Sequence, residues 1–339
     1  MHIIYSHQHT LHNTDGLVVN GQPFIVEDTP QRARLILSAV IAAGLGVVIE
    51  PVDYGLEPIL AVHHPDYVTF LKECYPKGQA YYKDDRPLLP ETYSTRRPQR
   101  KTNHPIGSLG YYAFGTGSPI LAGTWQAAYW SAQCAVTAAQ LVNQGQRAVY
   151  ALCRPPGHHA GVDYYGGFCY LNNAAIAAHS LPGRSAILDI DYHHGNGTQD
   201  IFYDNPDVLY CSIHADPDQD YPYFWGSAAE CGEGVGTGCN LNFPLPLGVG
   251  DKEYLAALDT CLDVICQHNP DNLVVSLGLD ILQGDPVGRF TITLEGLESI
   301  AEKIAALNRA GLPTVIIQEG GYHLELLGSY AARFLSFFD

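Results

Sequence analysis

Apolar strands alternating with helical stretches along 339 residues predict a single α/β domain, built as a parallel, doubly wound sheet with helices on both faces. Two further observations carry the same prediction. Several apolar runs end in Asp, His or Gly-Gly, as expected where parallel strands deliver groups to the carboxyl edge of a sheet, the edge at which ligands bind. These run ends are spread from His158 to Tyr322, so that whole stretch must close on one centre. Hydrophobic residues make up 46% of the chain, enough for a sheet buried on both faces. Length alone also allows two domains; the spread of the run ends favours one, spanning 1–339.

Pro30 opens a helical pattern through Leu35, Ile36 and Val40 that Gly44 closes, and Val47, Val48 and Ile49 follow as a strand. Residues 124–145 form a long helical stretch ended by a glycine, leading into an apolar strand at 148–153. Asn172 opens the helix before the next strand, at 186–191, and a further strand covers 209–214. Helices at 250–268 and 294–310 precede apolar strands that end at Asp280 and Gly320. Residues 76–123 interrupt this alternation, being rich in Pro, Gly, Tyr and Arg without sustained periodicity. An insertion of that length is either functional or disordered. Tyr81, Tyr82, Tyr93, Tyr111, Tyr112 and Phe114 favour function, because contact surfaces are enriched in aromatics.

The chemistry lies at the strand ends. In Leu188-Asp189-Ile190-Asp191-Tyr192-His193, strand alternation puts Asp189, Asp191 and His193 on one face and Ile190 and Tyr192 on the other. Asp and His suit a borderline divalent ion such as zinc, and a catalytic site takes three protein ligands with a fourth position open. A salt-bridged strand end is the ordinary alternative. Upstream, Arg154-Pro155-Pro156-Gly157-His158-His159 leaves its strand through a restricted turn that holds adjacent histidines for acid–base work. Asp280 is a further ligand. Gly320 and Gly321 let the backbone approach a ligand and turn Tyr322 inward, against the alternative of a packed tyrosine with its hydroxyl in water. A divalent ion activates water and polarises a carbonyl, so the set points to amide hydrolysis with His159 carrying the proton and Tyr322 stabilising the oxyanion. Among nine cysteines, Cys153 and Cys169 read as small buried residues rather than as half of a Cys–His pair.

With Val62-His63-His64-Pro65-Asp66-Tyr67, Gly157-His158-His159-Ala160, Gly166-Gly167-Phe168-Cys169-Tyr170, Gly195-Asn196-Gly197-Thr198, Gly284-Asp285-Pro286 and Glu319-Gly320-Gly321-Tyr322, the chain resembles the histone deacetylase-like amidohydrolases of the arginase-deacetylase superfamily. Within them it is most similar to bacterial acetylpolyamine amidohydrolases. The resemblance implies the arginase-deacetylase fold, zinc (with Fe2+ or Co2+ as alternatives) held by Asp191, His193 and Asp280, His158 and His159 beside the metal, and Tyr322 on the substrate carbonyl. It implies that Asp189 orients His158, and that Asn196, standing where some relatives have a second aspartate, orients His159. Without a carboxylate beside it, His159 is expected to be neutral at neutral pH. Phe168, with Gly167 and Gly320, lines the implied substrate tunnel. A structural potassium ion is implied among Asp189, Asp191, His193, Ser212 and the Ile213 carbonyl. The insertion 76–123 is implied to make a homodimer contact and to narrow the entrance. The function implied is zinc-dependent deacetylation of small acetylated amines or polyamines; an acetyl-lysine protein deacetylase and a non-hydrolytic binding protein of the same fold are the alternatives.

The net charge of −17 favours cationic partners and disfavours nucleic acid. There is no apolar run of the ~18 residues a bilayer span needs, and Met1-His2-Ile3-Ile4-Tyr5-Ser6 lacks a signal core, so a cytoplasmic protein without a membrane partner is expected. Nine scattered cysteines fit a reducing compartment. Local charge bears on the substrate. No acid lies between Glu91 and Asp163, whereas Arg96, Arg97, Arg100, Lys101, Arg147 and Arg154 do. Acids available to the mouth are Asp84, Asp85 and Glu91 in the insertion, Asp216, Asp218 and Asp220, and Asp15, Glu27 and Asp28. A basic entrance leaves a distal ammonium unpaired at a desolvation cost, so short acetylated diamines are expected to be preferred over long polyamines, with protein acetyl-lysine poorer still.

Overall fold

The computed structural model describes residues 1–94 and 101–338. Its centre is an eight-stranded sheet in the order β4-β1-β5-β10-β9-β6-β7-β8, every pair parallel. The strands are β1 (His2–Ile4), β4 (Val47–Ile49), β5 (Ala148–Ala151), β6 (Ser185–Asp189), β7 (Val208–Ala215), β8 (Asn240–Leu245), β9 (Asn272–Leu277) and β10 (Thr314–Gln318). A small antiparallel hairpin, β2 (Val18–Val19) with β3 (Gln22–Pro23), stands apart.

Period-2 alternation divides the sheet residues between two cores. Ile3, Tyr150, Leu188, Val275 and Ile316 face one side, where they pack with α1 (Pro30–Ala42), α8 (Asp251–His268), α9 (Leu294–Arg309) and α10 (Leu327–Leu335). Ile4, Val149, Ile187, Val274 and Val315 face the other, with α3 (Pro65–Tyr82), α4 (Pro105–Tyr112), α5 (Thr124–Asn143), α6 (Asn173–His179) and α7 (Asn196–Phe202). Each fully buried aliphatic side chain contributes about 1.5–3 kcal/mol, which explains why these strands read as continuous apolar runs. The short α2 (Glu57–Leu60) completes the helices. Among the described residues no helix is long and apolar enough to cross a membrane.

Two helices and two strands differ from the sequence reading. The supposed irregular segment beginning at Pro76 starts inside α3, which continues to Tyr82. Proline within a helix costs about 3 kcal/mol, but burial of Tyr67, Phe70, Leu71 and Cys74 along one face outweighs it. Residues 105–112 are helical as well, so among the described residues the irregular parts are 83–94, 101–104 and 113–123. The strands expected at 148–153 and 186–191 end earlier, at Ala151 and Asp189, so His158, Asp191 and His193 sit on the loops that follow.

The topology explains how residues from 158 to 322 meet. Strands β5, β10, β9 and β6 are neighbours in the sheet, and their carboxyl ends release the loops bearing His158 and His159, Tyr322, Asp280, and Asp191 with His193.

Candidate active site

Beyond β6 and β9, ligand atoms of Asp191, His193 and Asp280 lie within 4.8 Å of one another, all three residues buried. His193 Nδ1 is 3.2 Å from Asp191 Oδ1 and 3.1 Å from Asp280 Oδ2. A tetrahedral zinc site with bonds of about 2.0–2.1 Å has donor-to-donor edges of about 3.3 Å, so this spacing fits such an ion. A single proton on Nδ1 serves two carboxylates poorly, whereas one cation satisfies all three lone pairs. Charge argues the same way. Burial and the neighbouring Asp191 carboxylate push the Asp280 carboxyl up to about 7, a repulsion that a bound cation relieves. The remaining oxygens are tied to backbone: Asp191 Oδ2 accepts from Gly320 N–H at 2.8 Å, and Asp280 Oδ1 from Tyr192 N–H at 3.0 Å. The residue at 320 must be glycine, because a Cβ there would overlap the carboxylate oxygens of Asp280 and Asp191.

Alternation along the strand suggested that Asp189 shares the ligand face. Instead Asp189 turns to the histidine pair: its Oδ2 lies 3.1 Å from His158 Nδ1 and accepts from Tyr210 Oη at 3.0 Å. Burial opposes charge on His158, but the Asp191 and Asp189 carboxylates outweigh it and lift its pKa to about 10. His159 behaves oppositely. Burial, then the charges of His158 and His193, hold its pKa well below the ordinary value, against the opposing effect of the hydrogen bond that His159 donates to Asn196. With Asn196 Oδ1 2.7 Å from His159 Nδ1, the proton belongs on Nδ1 and Nε2 keeps a lone pair. Behind the pair, buried Glu319 accepts from the N–H groups of Gly157 at 2.6 Å and His158 at 3.2 Å. Cys169 is buried beside them, and burial drives its thiol pKa well up, so it offers no thiolate.

Tyr322 is held from two sides by residues to which the sequence reading gave no such role. Asp285 Oδ2 accepts from the N–H groups of Tyr322 at 2.6 Å and His323 at 3.1 Å. Arg32 on α1 donates to Gly321 O at 2.6 Å and Glu319 O at 2.7 Å, and its guanidinium lies 4.5 Å from the Tyr322 ring centroid. Arg32 is itself paired with buried Asp28 at 2.5 Å, and Arg154 lies 3.3 Å from the same oxygen. These partners are far apart in sequence with no spacing signature, although the exclusion of Arg and Asp from most interiors makes any fully buried pair a candidate support. Asp28 therefore belongs to the interior and is no mouth acid.

Above these groups opens a cavity of about 540 Å³ whose walls include Phe114, Phe168, Tyr221, Gly167 and Gly320, with His158, His159, His193 and Tyr322 at its reactive end. The Phe168 ring stands 5.9 Å from that of Tyr322, and the Tyr221 ring 5.1 Å from that of His159. Tyr93 and Phe114 bring the 76–123 segment to the wall, and Asp220 lines it too. Other acids have local partners: Asp84 pairs with Arg86, Asp85 accepts from Gln79, and Glu91 accepts from Tyr82. Asp216 caps its own loop by accepting from Asp218 N–H. Of the basic residues expected near the mouth, Lys101 pairs with Asp66, Arg147 binds carbonyls of Asn308 and Arg309, and Arg96, Arg97 and Arg100 lie outside the described residues. Ser212 sits opposite Asp189 in the sheet register with Ile213 next to it, and its Oγ is 2.8 Å from His214 Nδ1.

Residues 27–337 match the family described as histone deacetylase domain. The chain is 46% identical over 344 residues to acetylpolyamine amidohydrolase 1 of Pseudomonas aeruginosa, covering 99% of this chain and 98% of that protein. It is 39% identical to the acetylpolyamine amidohydrolase of Mycoplana ramosa over 345 residues, covering 99% and 98% respectively. The crystal structure of an acetylpolyamine aminohydrolase from Burkholderia pseudomallei superposes with a TM-score of 0.93 at 40% identity, covering 100% of this chain and 98% of that one.

Proposed function

For a chain that belongs to the histone deacetylase domain family, an enzyme family of hydrolytic deacetylases, we propose a zinc-dependent deacetylase of small acetylated amines or polyamines. The observation that carries this reading is the convergence of the Asp191, His193 and Asp280 donors beside a neutral His159, at the end of an aromatic-walled cavity. A divalent ion held by those three residues supplies electrophilic activation of a water and of the amide carbonyl. The chain's own groups do the rest. His159 Nε2 accepts the proton of the attacking water, with Asn196 fixing the ring through Nδ1. His158, held by Asp189 through Nδ1, stands beside the reacting carbonyl, and the Tyr322 hydroxyl donates to the developing oxyanion. The proton on His159 then passes to the leaving amine. Phe168 and Tyr221 flank the alkyl chain and exclude water from the reacting groups.

The same reading carries three further elements. A structural potassium ion sits among Asp189, Asp191, His193, Ser212 and the Ile213 carbonyl, supported by the adjacency of Asp189 and Ser212 in the register. A homodimer contact runs through 76–123, supported by the exposed Tyr81, and the segment narrows the entrance through Tyr93 and Phe114. A cytoplasmic location is supported by nine cysteines, all free.

The test is kcat/KM for acetylated diamines, acetylated long polyamines and an acetyl-lysine peptide on one zinc-loaded preparation. Higher values for the small amines than for the peptide are expected. A peptide value that clearly exceeds them would replace this reading with that of a protein deacetylase.

A further inference from the structure

The cavity has an uneven charge. Among the described residues that line it there is no Lys or Arg, and Asp220 is its one carboxylate. Its walls are otherwise largely aromatic, with Tyr93, Phe114, Phe168, Tyr221, Tyr223 and Phe224 among the lining residues. A cavity of that kind suits an alkyl chain ending in a cation, since aromatic faces attract cations and a carboxylate pairs with them. Asp220 is also anchored at a defined position. Its Oδ2 accepts from Tyr192 Oη at 2.6 Å, and its Oδ1 from the N–H of Tyr221 at 2.9 Å. Tyr192 lies between the metal-ligand candidates Asp191 and His193, and the Tyr221 ring packs 5.1 Å from His159 and 6.0 Å from His193. The carboxylate therefore stands one tyrosine side chain away from the reacting end. Its one cationic neighbour among the described residues, Arg289 at 3.7 Å, is 61% exposed and does not line the cavity, so it screens the acid without filling its place.

We propose that Asp220 is a specificity-determining residue that pairs with the free ammonium of a monoacetylated diamine, resting on the deacetylase reading of the same site. The acetyl amide lies at His159 and Tyr322, the alkyl spacer lies along Phe168 and Tyr221, and the ammonium meets Asp220 in a partly desolvated setting, where such a pair discriminates strongly against an uncharged chain.

The test uses Asp220→Asn, which removes the charge, keeps one acceptor oxygen for the Tyr221 N–H, and presents an amide NH2 that can donate to Tyr192 Oη. Two substrates of equal length are compared on the zinc-loaded enzyme: N-acetylputrescine, and N-pentylacetamide, in which a methyl group replaces the ammonium. Asp220→Asn is expected to lower kcat/KM for N-acetylputrescine about tenfold or more, chiefly through KM, and to leave N-pentylacetamide within about twofold. Raising the ionic strength should weaken the wild-type preference and leave the variant's ratio flat. Equal losses on both substrates would make Asp220 a support of the 220–226 loop only. No loss on either would place the ammonium elsewhere, and both results overturn the proposal while leaving the deacetylase reading intact. A wild-type enzyme that cleaves neither substrate would instead overturn the small-amine deacetylase reading, and this proposal with it.

Discussion

Removing the Asp285 side chain should slow catalysis by loosening Tyr322, although Asp285 touches no reacting atom. Its Oδ2 takes the N–H groups of Tyr322 at 2.6 Å and His323 at 3.1 Å, and its Oδ1 takes those of Val287 at 2.9 Å and Gly288 at 3.2 Å. A hydrogen bond to a charged acceptor nets about 1.5–3 kcal/mol, so the two bonds on the tyrosine turn together contribute about 3–6 kcal/mol, the shorter one more. Arg32 still holds Gly321 and Glu319 from the other side, so the turn is released at one end only. Asp285→Ala is therefore expected to lower kcat about 10–100-fold with bound metal unchanged, since misplacement on the scale of 1 Å costs about that much. Asp285→Asn, which keeps one acceptor oxygen, should recover most of the folding stability. The assay is acetate release by Asp285→Ala, Tyr322→Phe and the double variant, with metal content measured on each. If Asp285 acts through the tyrosine, the double variant is no slower than Tyr322→Phe alone. Additive losses, or a normal kcat in Asp285→Ala, would refute the reasoning.

Three other outcomes are expected. Tyr322→Phe should lower kcat by about 10²-fold or more with little change in KM, and His159→Ala should lower kcat with the metal retained; rapid kinetics on both variants checks this. Gly320→Ala should lose bound zinc while keeping its far-ultraviolet circular dichroism, because the added Cβ displaces the Asp191 and Asp280 carboxylates; metal analysis decides it. Burial works to raise the Asp28 pKa, but Arg154 and Arg32 outweigh it and hold the folded value below the unfolded one of about 3.9. A depressed carboxyl contributes stability that is complete above the unfolded pKa and is lost as the pH falls through the folded one. Asp28→Asn should therefore cost about 3–5 kcal/mol at pH 7, by urea denaturation, and the gap to wild type should narrow as the pH falls below about 4; a constant gap contradicts it.

Parts of this arrangement were legible in the chain and parts were not, for physical reasons. Parallel strands buried on both faces must be apolar until they reach the sheet edge, so Asp280 and the Glu319–Tyr322 turn announce themselves as the first polar groups after such runs. Asp191 and His193 were found for the same reason; alternation put Asp189 on their face, and only the fold shows its Oδ2 turned to His158 rather than to the three converging donors. β1, only three residues long, gives too little periodicity to read, and β8 carries two asparagines and a proline that hide it. α3 went unread and its last turns were given to the irregular segment from Pro76, because a local breaker was weighed without the tertiary burial that overrides it. The Arg32–Asp28–Arg154 group joins segments that only the fold brings together, and Asp285 lay inside a motif with no visible partner. Charge counted along the chain also misled. Lys101 and Arg154 are consumed by Asp66 and Asp28, while Asp220, one of several acids in its loop, is the one that reaches the cavity.

The most direct test of a hydrolase built around Asp191, His193 and Asp280 is zinc titration of chelator-treated protein, followed by acetate release from N-acetylputrescine, for wild type, Asp191→Ala and Asp280→Ala. Wild type is expected to lose activity on chelation and to recover it at about one equivalent of zinc, and neither variant is expected to recover. Full activity in the chelated wild type, or equal recovery in Asp191→Ala, would contradict it.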